Sequence, residues 1–173
     1  KNIFANLEVN GIENGNAENE ISDNLFLDNQ KVIVYRQVQG QRNLSVHHNV
    51  FFGNDTVLDL QAVYHNVEFT FNTVDQTKSQ GIFAILDSYP RLSMNNFVDN
   101  KMHIVTRGLQ SSQGDLLQAG DIEATNNWWG TVNLLQIRAK IRDGNQENVE
   151  AWLGKTIIQP IEQSEILSAY PRN

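Results

Sequence analysis

The stretch Val46-His-His-Asn-Val-Phe-Phe-Gly-Asn54 contains a pattern that returns four more times along the chain. An apolar residue lies three positions before a central asparagine, and in the first four copies a bulky apolar residue lies two positions after it. A repeat of this kind predicts a solenoid, in which each copy contributes one coil. The other copies are Ile21-Ser-Asp-Asn-Leu-Phe-Leu-Asp-Asn29, Phe69-Thr-Phe-Asn-Thr-Val-Asp-Gln76, Leu92-Ser-Met-Asn-Asn-Phe-Val-Asp-Asn100 and Ala124-Thr-Asn-Asn-Trp-Trp-Gly-Thr131.

The central asparagines set the length of the repeat. Those of the first four copies are separated by 25, 23 and 23 residues, and the fifth, Asn126 or Asn127, follows after 31 or 32, with residues 108–120 taking up the excess. Asparagine tolerates a left-handed backbone at a corner, and its amide can bond the amide of the next coil. The spacing therefore predicts a ladder of stacked amides, formed by Asn24, Asn49, Asn72, Asn95 and Asn127.

Each repeat also holds a second strand-like run, such as Val57-Leu-Asp-Leu60. Alternating β-branched residues, with Gly, Asn and Asp at the bends, favour strands over helices. A helix is predicted at residues 134–142, where Leu134, Leu135, Ile137 and Ile141 share one face. A leucine-rich repeat has a similar period, but its Leu-x-x-Leu-x-Leu spacing is absent. The predicted fold is all-β: a right-handed parallel β-helix of five to six coils with a short C-terminal capping helix and strand.

A single domain is expected to cover residues 1–173. The mass of 19.6 kDa suits one hydrophobic core. Residues 1–19 are interpreted as a first or incomplete coil and residues 20–121 as the core coils. Residues 122–161 are interpreted as the C-terminal coil and cap, and residues 162–173 as a tail.

Composition and charge narrow the classes of partner. Asp and Glu outnumber Lys and Arg by 20 to 13, and the resulting net charge of −7 argues against nucleic acid and anionic membrane surfaces. The absence of cysteine excludes disulfides and thiolate metal sites. No apolar run approaches the roughly 20 residues of a membrane-spanning helix, so no transmembrane segment is expected. The 22 Asn and 14 Gln residues make up about 21% of the chain, a bias that fits a repeat protein.

The C-terminal part carries a more specific motif. Asn126-Asn-Trp-Trp-Gly-Thr131 is followed by Gln136-Ile-Arg-Ala-Lys-Ile-Arg-Asp143 and Leu153-Gly-Lys-Thr-Ile-Ile-Gln-Pro160. Over residues 122–161 this succession resembles the C-terminal end of right-handed parallel β-helix proteins of the pectate-lyase-like superfamily, especially secreted and cell-surface repeat proteins. The resemblance implies an extracellular or cell-surface location, with the periplasm as a further option, and it implies that this segment closes the solenoid.

Physical reasoning agrees with a closing role for Trp128, Trp129 and Gly130. A solenoid must hide its last open coil, and two tryptophans with an amphipathic helix can cover strand edges that would otherwise pair with other chains. The alternative is that one tryptophan is exposed and stacks on a sugar, because adjacent strand residues face opposite ways. Trp128 is therefore also a candidate for ligand binding.

Enzymes of this superfamily that cleave polyuronates place carboxylates, often with calcium, and an Arg or Lys on the outer face of neighbouring coils. If Val34, Leu58, Ile85 and Val105 are aligned as inward residues, a similar group forms here with Tyr35 beside it. Such a group could support a lyase or a hydrolase reaction, and the alternative is a set of cross-strand surface ion pairs. The candidate catalytic residues are Arg36, Asp59, Asp87 and Arg107.

Histidines and aspartates provide further candidates. His47 and His65 lie one coil apart and could bind a ligand or a metal, and the alternative is hydrogen-bonded structural histidine. Asp28, Asp75 and Asp99 follow ladder asparagines by three or four residues and could line a calcium-binding edge, with turn formation as the alternative. No cofactor is expected, and bound calcium is the alternative. The candidate ligand-binding residues are Tyr35, His47, His65 and Trp128.

The sequence favours a non-catalytic structural or adhesion module, extracellular or on the cell surface. Its rigid solenoid would contact a carbohydrate or protein surface, or assemble with copies of itself through the solenoid ends. The alternative is a polysaccharide lyase or glycoside hydrolase that acts on acidic polysaccharide.

Overall fold

The computed structural model describes residues 2–6, 12–14, 19–36, 43–61, 67–85, 90–107, 109–110, 116–117, 121–143 and 154–171. Within these residues the backbone forms three parallel sheets, and neighbouring strands of each sheet come from successive repeats. This arrangement is a parallel β-solenoid, which confirms the predicted all-β fold. No helix in the described part of the chain is long and apolar enough to cross a membrane.

Each sheet runs the length of the solenoid. Sheet 1 contains β1 (Ile3–Ala5), β4 (Leu25–Leu27), β7 (Val50–Phe52), β10 (Thr73–Asp75) and β13 (Asn96–Val98). Sheet 2 contains β2 (Ile12–Asn14), β5 (Lys31–Arg36), β8 (Thr56–Gln61), β11 (Gln80–Ile85), β14 (Ile104–Arg107) and β18 (Ile141–Arg142). Sheet 3 contains β3 (Asn19–Ser22), β6 (Leu44–His47), β9 (Val67–Thr70), β12 (Arg91–Ser93), β17 (Ile122–Glu123) and β19 (Thr156–Ile157). A small antiparallel pair is formed by β15 (Leu109–Gln110) and β16 (Leu116–Leu117).

Regular coils are fewer than expected. Between Asn24 and Asn95 the chain makes turns of 25, 23 and 23 residues, so the regular solenoid has about three coils rather than five to six. The next link, from Asn95 to Asn127, spans 32 residues because the pair β15–β16 is inserted there. The predicted count of five to six also included the stretch before Asn24 and the stretch after Asn95, which lie outside these three turns.

The core is a stack of inward-facing side chains from successive coils. In sheet 1 the ring of Phe26 stacks on Phe4 and on Phe51, with 4.9 Å between ring centroids in both pairs. At the other end Phe97 stacks on Trp129 at 4.8 Å. These distances match the spacing of about 4.8 Å between neighbouring strands, so like positions of successive coils touch directly. Burial of these large rings stabilises the coils.

The predicted asparagine ladder is confirmed at the corner between sheets 3 and 1. Each ladder asparagine donates its main-chain N–H to the Oδ1 of the next one, at 2.9 to 3.0 Å. Each side-chain amide also donates to the carbonyl oxygen two residues earlier. The residue before each asparagine has a positive φ, which makes the corner sharp and leaves backbone groups for the amide to pair. These corner residues are Asp23, His48, Phe71, Met94 and Asn126.

A second asparagine ladder, which the sequence analysis did not predict, runs along the corner between sheets 1 and 2. Asn29 donates from both its main-chain N and its Nδ2 to Oδ1 of Asn54, each at 2.9 Å. One coil is different, because Thr77 takes the asparagine position and donates its main-chain N–H to Oδ1 of Asn100 at 3.0 Å. The residues before these positions again have positive φ, and they are Asp28, Gly53, Gln76 and Asp99.

A short helix, α1 (Leu134–Ala139), lies at the C-terminal end of the solenoid. Asn133 caps it by accepting hydrogen bonds from the main-chain N–H groups of the first turn, and Ile137 packs into the core. The predicted helix over 134–142 was too long, because Ile141 pairs with Ile104 in sheet 2 and starts β18. Leu135 is 82% exposed and does not share the buried face.

The last described residues form an arm, defined here as residues 161–171 and called the C-terminal arm. It crosses the outer face of sheet 1 and contains a short 3₁₀ turn, Leu167–Ala169. Asn96 bonds both main-chain groups of Ile166, accepting from its N at 2.8 Å and donating to its O at 3.0 Å. The hydroxyl of Thr73 donates to the O of Ala169 at 3.0 Å. Ile166 and Ala169 are buried, so the arm covers the C-terminal part of this sheet face.

Candidate functional site

Three of the candidate catalytic residues, Arg36, Asp59 and Arg107, lie on strands of sheet 2. In the register of β5 and β8, Val34 lies beside Asp59 and Arg36 lies beside Gln61. The sequence analysis predicts that Val34 lies beside Leu58 and points inward, and this prediction is wrong. Val34 pairs with Asp59, which faces outward because it lies between the core residues Leu58 and Leu60. Val34 and Asp59 therefore share an outward row.

The register of sheet 2 does not bring Arg107 next to Asp59 or next to the Arg36 position. Arg107 lies beside Ile85 in the row of Arg36 and Gln61, three strand spacings or about 14 Å from the Arg36 position. Arg107 is exposed, and it makes no ion pair with the residues that the structure describes. The side chain of Arg36 and the whole of Asp87 lie outside the described residues. The four-residue catalytic hypothesis stays a prediction.

Asp59 itself is held in a fixed place. Its side chain is 1% exposed, although it faces outward. Nζ of Lys31 lies 2.6 Å from Oδ2, and Nε2 of Gln61 donates to Oδ1 at 3.1 Å. Both carboxylate oxygens are therefore occupied by neighbours on the same strand or the strand beside it. A carboxylate bound in this way serves packing of the coils better than proton transfer to a ligand.

The candidate ligand-binding residues lie in separate places. Tyr35 is 3% exposed and belongs to the core. His47 bonds Oε1 of Glu20 through Nε2 and the Nδ1 of His48 through Nδ1, both at 2.9 Å. Trp128 forms an isolated parallel bridge with Asn96 and is half-buried. His65 lies outside the described residues.

The three aspartates considered for calcium do not form one site. Asp28 and Asp99 both occupy the corner between sheets 1 and 2 with positive φ, and Oδ1 of Asp28 pairs with Nζ of Lys78 at 3.1 Å. Asp75 lies on β10. No group of three His, Asp or Glu side chains in the described ranges is close enough to hold a metal ion.

Asp75 instead belongs to an acidic surface beside the C-terminal arm. Burial, together with the charges of Asp99 and Glu165, raises the pKa of Asp75, and a hydrogen bond from the Gln76 backbone opposes this shift. Oδ1 of Asp75 is buried without a hydrogen-bond partner among the described residues. Tyr170 donates to Glu165, and burial followed by this contact raises the pKa of the Tyr170 hydroxyl.

A cavity of about 390 Å³ lies where the last coil meets α1, and it is called the cap cavity here. Its walls come from the corner after β13, the segment before β14, the loop after Trp129 and one face of α1. The main-chain N of His103 donates to the O of Lys140 at 2.7 Å and joins two of these walls. The lining residues are Asp99, His103, Trp129, Gly130, Thr131, Gln136, Ala139 and Lys140.

The proton on His103 can be placed from its neighbours. Oδ1 of Asn100 accepts from the main-chain N of Thr77, so Nδ2 of Asn100 is the atom that faces Nδ1 of His103, at 3.3 Å. Since Nδ2 is a donor, Nδ1 of His103 accepts, and the neutral ring carries its proton on Nε2. Burial, and then the charge of Lys140, lower the pKa of His103 to about 3, so the ring is neutral near pH 7.

The two rings beside this cavity each carry an N–H group for which the described part of the chain supplies no acceptor. Nε2 of His103 has no hydrogen-bond partner among the described residues, and neither has the buried Nε1 of Trp129. Phe97 packs against both rings, in a stack with Trp129 and edge to face with His103. The cap cavity thus combines apolar ring edges with a few polar side chains, which is the usual composition of a small-ligand site.

The sequence analysis missed this cavity. Its polar residues come from four segments that the repeat pattern does not bring into register. Gln136 lies on α1, and Lys140 follows the last residue of that helix. The available signal was the helical pattern that follows Asn127, because a helix at this point interrupts the stacking of like residues in the solenoid.

Comparison with known proteins identifies no relative. No family model matches the chain, and neither a curated protein nor a solved structure matches it.

Proposed function

We propose that this chain is a non-catalytic structural or adhesion module, extracellular or on the cell surface, whose rigid solenoid contacts glycans or proteins. The observation that carries the proposal is the pair of asparagine ladders on two corners of the solenoid. In the first ladder, buried hydrogen bonds to asparagine side chains link each coil to the next. The donors are the main-chain N–H groups of Asn24, Asn49, Asn72 and Asn95. Such repeated links between coils favour a stiff rod that holds its side walls in fixed positions.

The chemistry of the outer faces supports a binding role over a catalytic one. A lyase or hydrolase needs an acid or base within hydrogen-bond reach of the bond that reacts. Asp59 is occupied by Lys31 and Gln61, and Arg107 lies in a different outward row. The described residues therefore offer a polar wall and no assembled pair of catalytic groups.

The resemblance of residues 122–161 to the cap of secreted and cell-surface β-helix proteins of the pectate-lyase-like superfamily supports the proposed location. The large share of Asn and Gln also suits contact with carbohydrate, because amides both donate and accept hydrogen bonds. Self-association through the solenoid ends is part of the proposal, and sedimentation over a wide range of concentration would detect it. A mass that stays monomeric throughout would remove this part.

The test of the main proposal is a combined binding and turnover screen. The purified chain is incubated with acidic and with neutral polysaccharides, with and without calcium, while bound polymer, unsaturated products and new reducing ends are recorded. We expect binding without products. Cleavage that is lost in Arg107→Ala or Asp59→Asn, and kept in the surface control Glu68→Gln, would establish the polysaccharide lyase or hydrolase instead.

A further inference from the structure

We propose that the cap cavity binds one unit of a neutral saccharide, with the hydroxyl groups of the sugar pairing with His103, Gln136, Lys140 and Asp99. The inference deepens the proposed function and rests on its glycan-contact part. It assigns that contact to the C-terminal end of the solenoid, between the last coil and α1.

The size of the cavity sets the first limit on the ligand. Its volume of about 390 Å³ lies at the small end of ligand pockets, which span roughly 300 to 1,000 Å³. A single sugar ring fits such a space, whereas a long chain could place only one of its units there. Trp129 and His103, whose rings line the cavity, are only 2% and 1% exposed. This side of the cavity is therefore tightly packed and keeps its shape.

The charges around the cavity favour a neutral ligand. Lys140 supplies one ammonium group and Asp99 one carboxylate, and neither forms an ion pair with a residue in the described ranges. His103 adds no charge because its ring is neutral. An anion would gain from Lys140 and lose from Asp99, whereas a neutral polyol can accept from the first and donate to the second.

The polar groups match hydroxyls, which can donate and accept at once. Nε2–H of His103 has no acceptor among the described residues, and a sugar oxygen would supply one. Oε1 of Gln136 accepts from the hydroxyl of Thr131 at 3.1 Å, and this contact orients the amide and leaves its Nε2 donors for the ligand. Thr131 is fixed in turn because it accepts from the main-chain N of Asn133 at 3.1 Å. Donors held by their neighbours lose little freedom on binding, which favours affinity.

The experiment titrates the whole chain with methyl glycosides of neutral hexoses, using isothermal calorimetry and ¹H–¹⁵N spectra. Galacturonate and inorganic phosphate serve as charged probes. Ala139→Phe is the blocking variant, because Ala139 is an exposed residue of α1 that lines the cavity. Leu135→Phe is the matched control, since Leu135 lies on the same helix, is 82% exposed and does not line the cavity. Gln136→Leu removes one proposed donor from the exposed end of the site.

We expect at least one neutral glycoside to bind the wild type and Leu135→Phe equally. Ala139→Phe should abolish this binding, and Gln136→Leu should weaken it about tenfold, the loss expected from one hydrogen bond. On binding, the ¹⁵N signal of His103 Nε2 should shift while Nδ1 keeps its chemical shift. Equal affinity in Ala139→Phe, or binding of galacturonate or phosphate in the cavity without any neutral glycoside, would overturn the inference.

Failure of the site and failure of the proposed function give different results. If Ala139→Phe binds polysaccharide as the wild type does, the cap cavity is not the contact and the glycan-binding module stands. If neither polysaccharide nor any glycoside binds the wild type, the glycan-contact part of the function fails and the cavity proposal fails with it.

Discussion

Asn49 directs two hydrogen bonds to a single atom of Asn72: its main-chain N and its side-chain Nδ2 each lie 3.0 Å from Oδ1. Asn72 repeats this arrangement toward Asn95, one coil further on. The same amide of Asn72 also donates to the carbonyl oxygens of Val46 and Thr70. One side chain therefore pairs groups from three successive coils, at a corner where no sheet can do so.

Replacing Asn72 with alanine should strongly destabilise the solenoid. The change leaves the main-chain N–H of Asn49 and the carbonyl of Val46 buried without these partners, and an unpaired buried group costs about 1–3 kcal/mol. We expect the free energy of unfolding in urea to fall by about 3–5 kcal/mol. Asn43→Ala is the control, because Asn43 is exposed, and it should change little. A loss for Asn72→Ala no larger than that of the control would show that the ladder is dispensable.

Replacing Thr77 with asparagine should complete the second ladder and raise stability. Thr77 is 3% exposed, its hydroxyl has no hydrogen-bond partner among the described residues, and it stands where the other coils carry asparagine. An amide here can accept from Asn54 and donate toward Asn100, which should add about 1–2 kcal/mol to the free energy of unfolding.

Thr77→Val separates the two contributions to that gain. Valine removes the unpaired hydroxyl and adds no amide, so we expect it to stabilise less than Thr77→Asn does. Chemical denaturation of the three proteins side by side gives the comparison. An asparagine variant less stable than the valine variant would mean that the corner at Thr77 has no room for a ladder amide.

The sequence predicted what repeats. The ladder from Asn24 to Asn127 was readable because the same side chain meets the same corner in each coil, and equal spacing reports this directly. The second ladder was also present in the sequence at Asn29, Asn54 and Asn100. It was missed because Thr77 interrupts it and because each of these residues looked like the end of a copy.

The candidate site depended on features that do not repeat. A strand register error of one residue moves a side chain from the core to the outer face, and this is why Val34 was placed inward beside Leu58. The walls of the cap cavity are joined by contacts such as that between the N of His103 and the O of Lys140. Contacts of this kind depend on how α1 packs against the last coil, which periodicity does not describe.

Replacing Asp75 with asparagine should stabilise the protein near neutral pH. Burial, Asp99 and Glu165 raise the pKa of Asp75 above its usual 3.8, so the folded chain binds this proton more tightly than the unfolded chain. The ionised carboxylate therefore weakens the fold above its raised pKa, and this penalty disappears as the pH falls below 3.8. Because the group is partly exposed, we expect a gain of about 1 kcal/mol or less at pH 7.

Thermal unfolding at several pH values tests this prediction. Glu68→Gln removes the same charge from an exposed position on sheet 3 and controls for the change in net charge. The melting temperature of Asp75→Asn should exceed that of Glu68→Gln at pH 7, and the difference should shrink in acid. A difference that grows in acid would contradict the raised pKa.

His103 should lower the stability of the protein in acid, whereas the protonation of Asp75 in acid relieves a destabilising charge. Burial and the Lys140 ammonium lower the pKa of His103 to about 3, whereas the unfolded chain has the ordinary value of 6.5. As the pH falls below 6.5, the unfolded state takes up this proton and the folded state does not. The contribution of His103 to the free energy of unfolding is therefore fully present above pH 6.5 and is lost progressively toward pH 3. The limiting slope from this group is about 1.4 kcal/mol per pH unit.

The comparison of wild type with His103→Gln isolates that contribution, because the carboxylates that also titrate in this range are common to both proteins. The variant loses ring packing against Phe97 and Trp129, so it should be less stable at pH 7. The difference between the free energies of unfolding of the two proteins, measured in urea, should then become smaller as the pH is lowered. Only the wild type loses stability because its folded state cannot take up the histidine proton. Long-range ¹H–¹⁵N spectra give a second measurement that needs no variant: at pH 5 the His103 ring should still be neutral with its proton on Nε2. The prediction would be wrong if the ring is protonated at pH 5, or if the difference in free energy of unfolding does not change with pH. Either result would mean that His103 is more exposed to solvent than the structure shows.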